Sequence, residues 1–358
     1  MKAVWYSHPG PAQEVLQLGE LPTPSAGPGQ VRVRLHTSGV NPSDVKSRRA
    51  RPVADPLIVP HSDGAGVIDQ VGDGVDRARL GERVWTWNAQ WQRPMGTSAE
   101  WVVLPEAQAV RLPEGTDFAA GACFGIPALT AVQAVVWAER LAGALRGQRV
   151  LVVGAASSVG HYITQLVQQA GAEVLGTVGS PERAAHAQAA GLHAPIFYKQ
   201  ENVAERVREI TGGQGVDVVI DMDFSGTASW APEVLKPHGA VVCYGSNALE
   251  QSFQYRPWLF ASLGVKFFLV YDLSPADRQT AIERLRRLLT QLIALARAEG
   301  ASLVQRLDGG KRRRPARLVA ALQSAARRHK GSERIPQRRA LPPGLAPLLL
   351  PPVQPMAA

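Results

Sequence analysis

The 358-residue chain has only two cysteines, Cys123 and Cys243. They fall in separate predicted elements, which leaves no disulfide framework and rules out a four-cysteine zinc lobe. Both are expected to be buried, inert thiols. The sequence also lacks any run of 18 uncharged apolar residues, so no transmembrane helix is predicted. Its first residues, MKAVWYSHPG, lack the apolar run of a secretory signal, which gives the expectation of a cytoplasmic protein. Finally, an excess of basic charge is missing from most of the chain despite a formal net charge of +9. Residues 1–296 hold 26 Lys and Arg against 27 Asp and Glu, while residues 297–339 hold 13 against 3. The basic character therefore sits in the tail, behind a nearly neutral, enzyme-like body.

What the sequence does have is a strand, a small-residue turn and a helix in succession, over Gln148 to Ala172. Val150 to Val153 is a short β-branched run of the kind that forms a buried parallel strand. The turn Gly154-Ala155-Ala156-Ser157-Ser158-Val159-Gly160 follows. A helical face of Ile163, Leu166, Val167 and Ala170 comes next, with Gly171 placed to end it. Such a unit can hold a pyrophosphate, because small residues let the backbone approach and free N–H groups at the helix start attract negative charge. The spacing is not G-x-G-x-x-G, so the turn alone also fits an ordinary strand-to-helix connection. The alternation that follows favours the ligand. Strands are predicted at Glu173–Val178, Ala194–Tyr198, Val216–Asp221, Ala240–Gly245 and Val265–Val270, with helices between them. That pattern implies a doubly wound parallel sheet binding a dinucleotide at its carboxyl edge.

The tip of the second strand discriminates between dinucleotides. An acid there would bind a ribose 2′-hydroxyl; here the strand ends in Val178-Gly179-Ser180, with Arg183 just beyond. This leaves room and positive charge for a 2′-phosphate, so NADPH is expected. Arg183 is alternatively a solvated helix charge, and Tyr198 either lies against the adenosine end or simply packs. Ahead of this region, residues 1 to about 122 read as short strands (Met1–Tyr6, Gln30–Ser38, Ala65–Val71, Arg83–Trp87, Ser98–Val103) broken by Gly/Pro turns. A helix over Ala128–Leu141 bridges the two parts.

Several segments in order carry a family resemblance: MKAVWY at Met1–Tyr6, VRVRLHTSGVNPSD at Val31–Asp44, HSDGAGV at His61–Val67, Gly72–Val84, GACFGIPALTA at Gly121–Ala131, Val150–Gly160, Val216–Asp221 and Gly239–Ser246. Over about residues 1 to 290 the chain resembles the zinc-independent medium-chain dehydrogenase/reductases, and most of all NADPH:quinone oxidoreductases of the zeta-crystallin type. The resemblance implies an α/β fold: a GroES-like β-rich catalytic domain (1–125), then a Rossmann NADPH-binding domain (126–270) with a doubly wound parallel sheet. A helix returning to the catalytic domain (271–296) and an atypical basic, Pro-rich tail (297–358) complete the expected organisation.

In zinc-dependent relatives the ligands would fall on Asn41 and Ser62, neither a good Zn²⁺ ligand, so no metal is expected. His61 then reads as a supporting or surface imidazole. The implied function is quinone reduction by NADPH, with reduction of the C=C bond of an enal or enone as the alternative. By resemblance Asn41 lies beside nicotinamide and substrate, with Ser43 and Lys46 near it. Ile126 and Thr130 line the nicotinamide side, and Ala155, Ser157, Ser158, Val159 and Gly160 form the phosphate turn. Gly179, Ser180, Arg183 and Tyr198 belong to the adenosine end. Ser225, Tyr244, Gly245, Ser246, Phe268, Leu269 and Val270 run along the cofactor. Asn41, Lys46 and Thr130 are the catalytic candidates, although Asn41 also reads as a turn residue before Pro42 and Lys46 as a surface charge. Relatives often carry a tyrosine in the segment after Lys46; here SRRARPVADP (Ser47–Pro56) has none. Trp85, Trp87, Trp91 and Trp101 offer an aromatic wall for a flat acceptor, or core packing. A homodimer paired through the edge strand Val265–Val270 is implied.

After about Leu292 the family's further strand, helix and closing strand are not recognisable. Leu318–Ala326 reads as a short basic helix and Pro342–Pro355 as an extended Pro-rich segment. Either the tail is an appendage that binds RNA, DNA or an acidic surface, or the reading frame shifted near residue 292. The missing closing strand favours the shift. A third reading of a different class is a nucleotide-binding protein acting on nucleic acid through this tail.

Overall fold

The computed structural model describes residues 1–298. Two β-systems make up the body. In the first, β1 (Lys2–Trp5) pairs antiparallel with β2 (Gln17–Glu20), with the single turn α1 (Ala12–Val15) between them. A five-stranded antiparallel sheet follows in the order β6-β3-β4-β5-β7. Its strands are β3 (Gln30–Gly39), β4 (Asp63–Val71), β5 (Arg83–Thr86), β6 (Trp101–Pro105) and β7 (Ala109–Arg111). Val31, Val33, Ile68, Val84, Val102 and Leu104 alternate inward and fill its interior. Helix α2 (Pro42–Ala50) interrupts the sheet where only a turn and loop were expected. The local cause is Asn41-Pro42-Ser43-Asp44: proline suits the first helical position, and the Asp44 carboxylate accepts the Asn41 N–H at 2.7 Å.

Between the two systems, α3 (Phe118–Gly121) leads through a π-helical turn, Phe124–Ala128, into α4 (Leu129–Ala142). The second system is a six-stranded parallel sheet in the order β10-β9-β8-β11-β12-β13. The chain visits β8 (Arg149–Val152), α5 (Ser158–Gln169), β9 (Glu173–Val178), α6 (Pro181–Gln188) and β10 (Ala194–Phe197). It then continues through α7 (Val203–Thr211), β11 (Val216–Asp221), the single turns α8 (Phe224–Thr227) and α9 (Ala231–Val234), β12 (Leu235–Cys243), α10 (Tyr255–Phe260) and β13 (Gly264–Phe267). All five ladders are parallel, and β8 and β11 in the middle are almost entirely buried, because helices cover both faces. The fold is therefore a GroES-like β lobe joined to a Rossmann lobe.

Helix α11 (Pro275–Ala298) closes the described chain, passing residue 292 without a break. Ala281, Ile282, Leu285 and Leu289 recur on one buried face, and Arg284 forks onto the Glu139 carboxylate, its Nη2 at 2.9 Å, to fasten the helix to α4. One apolar cluster runs through both lobes, from Trp85 and Phe124 to Val152, Val270 and Leu289.

Several expectations need correcting. The strand expected at Val265–Val270 ends at Phe267; Val270–Asp272 form a tight turn, with the Val270 carbonyl held by the Arg278 guanidinium. The strand expected at Ser98–Val103 begins at Trp101, and β2 and β7 were not foreseen. Cys243 is buried as expected, but Cys123 is exposed, on the outside of the π-helical turn. The basic helix at Leu318–Ala326, the Pro-rich segment, any closing strand and a nucleic-acid surface on the tail lie outside the described residues. Among those described, no helix is long and apolar enough to cross a membrane.

Candidate active site

The phosphate turn follows from its glycines. Gly154 sits at φ +75°, and a Cβ there would meet the Met222 sulfur at 2.4 Å. At Gly160 an added Cβ would press on the Gly154 carbonyl oxygen at 2.2 Å, so the helix can start this close to the strand only with glycine. Thr177 of β9 pins the turn, its Oγ1 accepting the Gly154 N–H at 2.8 Å. Ser157 caps α5, its Oγ accepting the Gly160 N–H at 3.0 Å. Ala155 and Ala156 are buried beneath the turn, and Ser158 and Val159 head the twelve-residue helix. Together these features form a backbone cradle with no room for a Cβ at Gly154 or Gly160, suited to an anion.

At the tip of β9 the chain runs into Gly179-Ser180, and Ser180 caps α6. The exposed Arg183 reaches back to donate to the Ala156 carbonyl at 3.2 Å, so its guanidinium overhangs the phosphate turn. A Cβ on Gly179 would touch the Tyr198 hydroxyl at 3.4 Å and Lys199 Cε at 3.6 Å. Arg183, Tyr198 and Lys199 thus crowd one corner with no carboxylate among them. Lys199 was not singled out from sequence, although its place next to Tyr198 at the end of β10 is the signal.

Further along the carboxyl edge, Asp223 organises the next group. Its carboxylate accepts from Ser225 Oγ, the Asn247 N–H at 3.0 Å and Asn247 Nδ2 at 2.7 Å, and these hydrogen bonds, overcoming its partial desolvation, hold its pKa below the usual range. Tyr244 packs toward Phe268, ring centres 6.4 Å apart, and Gly245 lies so close to Met222 that a Cβ would meet its carbonyl at 2.5 Å. Ser246 is exposed, and its carbonyl accepts from Lys46 Nζ at 3.3 Å. Val270 is buried, whereas Leu269 turns outward and is 48 % exposed.

The third group joins the lobes. Asn41 is buried, and its side-chain amide donates to Asp63 Oδ2 at 2.9 Å; the same oxygen accepts the Ile126 N–H from the π-helical turn at 3.0 Å. Burial pushes the Asp63 carboxyl well above the ordinary range, outweighing both hydrogen bonds. Its other oxygen lies against Gly125, where a Cβ would come within 2.2 Å. Asp44, below the Asn41 cap, is raised to about 6, again by burial. His61 is buried at φ +78°, shares a 2.9 Å hydrogen bond with Ser38, and is lowered to about 4 by desolvation. Thr130 is buried one turn beyond Ile126.

Lys46 is not merely a solvated charge. It spans to the other lobe, donating to the Ser246 carbonyl and, at 3.2 Å, to Asn247 Oδ1. A second link between the lobes is a tyrosine that sequence reasoning missed: the Tyr271 hydroxyl is 2.8 Å from Ser43 Oγ, and its ring stacks on Trp91 at 4.7 Å. The expected aromatic wall is therefore smaller. Trp85 is core, edge-on to Phe124, and Trp101 of β6 is tied to Asp69 of β4; Trp87 lies under Arg278, leaving Trp91 at the cleft.

Residues 27–114 match the family described as alcohol dehydrogenase GroES-like domain, and residues 158–287 match zinc-binding dehydrogenase. A 2-haloacrylate reductase from a Burkholderia species is 34% identical over 249 residues, 68% of this chain and 73% of that protein. The chain is a medium-chain dehydrogenase/reductase of the quinone oxidoreductase type. The rat quinone oxidoreductase is 34% identical over 65% of this chain and 69% of its own length. The crystal structure of a Pseudomonas syringae pv. Tomato quinone oxidoreductase superposes with a TM-score of 0.68 at 28% identity, covering 86% of this chain and 94% of that one. Membership makes the protein a nicotinamide-dependent oxidoreductase. Within this family, the positions where the resemblance seats zinc ligands hold Asn41, its amide engaged by Asp63, and buried Ser62. Among the described residues no three His, Cys, Asp or Glu side chains gather as a metal-ligand group.

Proposed function

We propose that the protein reduces quinones with NADPH, by hydride transfer without a metal. The observation that carries the cofactor preference is the corner at the tip of β9, where Tyr198 and Lys199 stand beside Gly179, Arg183 reaches back to the phosphate turn, and the strand ends in Val178-Gly179-Ser180 without an acid. A 2′-phosphate gains charge-assisted hydrogen bonds there, and a free 2′-hydroxyl finds no carboxylate to accept it. When bound, the reduced nicotinamide supplies hydrogen with both electrons of its bond.

The chain's own residues do the rest. The Gly154–Gly160 turn and the start of α5 take the pyrophosphate. Ile126, Thr130 and Val270 give the nicotinamide a dry wall, which strengthens nearby electrostatics and limits loss of hydride to water. Asn41, held in one orientation by the buried Asp63, presents a fixed polar group to nicotinamide and acceptor. Lys46 links this lobe to the Ser246–Asn247 loop over the cofactor.

A second reading, reduction of the C=C bond of an enal or enone, is favoured by the Burkholderia relative named 2-haloacrylate reductase. We also propose a homodimer through the β13 edge, where Val265, Phe267 and Leu269 are exposed on one face. The test of function is NADPH oxidation by the full-length chain offered a quinone or an enal, with NADH as control. Quinone-dependent turnover that prefers NADPH is the expected result; turnover with the enal alone would select the second reading, and turnover with neither would overturn both.

A further inference from the structure

An acceptor that receives a hydride develops negative charge on oxygen, and some group must meet it. The acids and bases around the cleft are otherwise engaged. The Asp44 carboxylate accepts the Asn41 N–H, and Asp63 is sealed behind Asn41 and Ile126. His61 is turned to Ser38, and Lys46 is tied to Ser246 and Asn247. Among the described tyrosines, Tyr6 packs with Val15 and Ile58, Tyr198 belongs to the β9 corner, and Tyr244 lies with Phe268. Tyr271 sends its hydroxyl across to the catalytic lobe, onto Ser43.

We propose that Tyr271 is the group that donates its hydrogen to the acceptor oxygen as the hydride arrives, an assignment that rests on the reductase reading above. It follows directly on Val270, so the backbone that walls the nicotinamide side also fixes this phenol. Asn88 Nδ2 donates to the Tyr271 carbonyl at 2.8 Å, Trp91 stacks on the ring, and Ser43 meets the hydroxyl at 2.8 Å. Three contacts from the other lobe thus hold this residue at the seam between the lobes, two of them on its side chain. Burial, with the Asp44 charge adding to it, raises the phenol's pKa, so the hydroxyl keeps its proton and remains a donor. This places a phenol where the segment after Lys46 offers none.

For an enone the balance is as follows. The hydride and its electron pair form a C–H bond at the β-carbon, and the π electrons end on the carbonyl oxygen. The Tyr271 O–H bond then breaks to give the enol, and a proton from solvent returns to the phenolate. The two electrons come from the reduced dinucleotide, which ends oxidised. A quinone needs only the hydrogen bond, because its reduced oxygen is a weaker base.

The bland alternative is a staple: the Ser43–Tyr271 contact merely joins the lobes. Tyr271→Phe and Ser43→Ala both remove that contact, but only the first removes the donor. The expected result for Tyr271→Phe is an NADPH Kd within twofold of wild type and a kcat loss of about 10- to 100-fold with an enal. The loss should shrink along a series of quinones as the reduced oxygen becomes less basic, and Ser43→Ala should lose less than fivefold throughout. A readout without turnover is the binding of 4-nitrophenol to the NADP⁺ complex, followed by its absorbance. Wild type should hold the phenolate about tenfold more tightly than Tyr271→Phe. Equal losses in the two variants, independent of the acceptor, would identify a staple and overturn the assignment. So would unchanged turnover and phenolate affinity in Tyr271→Phe. A wild type that binds NADPH but turns over no acceptor would overturn the reductase reading first, and this assignment with it.

Discussion

The nucleotide corner and the acceptor pocket are built by opposite means. The corner is mostly backbone, drawn from the single run Gly154–Gly160 and the tips of β9 and β10, and it works because Cβ atoms are missing. The pocket is mostly side chains, gathered from Asn41, Ser43, Asp63, Asn88, Trp91, Ile126 and Tyr271, which lie far apart in the chain. A site made of absences fails when an atom is added. A site made of converging groups is tuned one group at a time.

The largest effect should come from adding atoms to the corner. Gly160→Val forces a Cβ against the Gly154 carbonyl and should cost on the order of 3 kcal/mol of stability, with loss of NADPH binding. Thermal unfolding with and without NADPH checks both.

Next comes a property the two regions share. Asp221 under the corner and Asp44 beside the pocket are each raised to about 6, chiefly by burial. Between about pH 4 and pH 6 each is protonated when folded and ionised when unfolded, so the stability these two groups contribute is fully present below about pH 4 and is lost as pH rises through 6. Each group contributes roughly 3 kcal/mol to that fall. Asp221→Asn should flatten the slope of denaturant-measured stability between pH 4 and 6.5; an unchanged slope would show that burial does not govern this group.

Arg183→Ala tests whether charge alone sets the corner's preference. NADPH KM should rise about tenfold while NADH kinetics stay put; a parallel rise for both would refute a 2′-phosphate site. Smallest is Lys46→Ala, where an exposed bridge between the lobes should cost only about two- to fivefold in kcat/KM, and less at high salt. A loss of 100-fold would move Lys46 into the chemistry itself.

The same contrast explains what could be read from the chain alone. Helix α7 and strands β9 and β11 fell where periodicity predicts them, because each is local and strongly patterned. The turn at Gly154–Gly160 was visible for the same reason. Lys46 gave no sign that it reaches Asn247, 201 residues away, and the Ser43–Tyr271 contact spans 228. Tyr271 was hidden by a strand predicted to end one residue earlier, at Val270; once β13 stops at Phe267, the chain bends and carries that ring across the seam. Cys123 was misjudged because cysteine is usually buried, whereas the π-helical turn puts this one outside. The resemblance supplied Asn41, but nothing in its neighbourhood revealed that a buried acid holds it.

That acid has a consequence in time as well as in space. Asp63 ties the head of α2, the start of β4 and the π-helical turn through one oxygen, while its other oxygen rests against Gly125. These three segments can open only together, so the Ile126 amide should exchange its hydrogen for deuterium as slowly as the central strands β8 and β11, although it belongs to an irregular turn. Around the reacting atoms the molecule then behaves as one solid piece, and its slow motions are left to the rim.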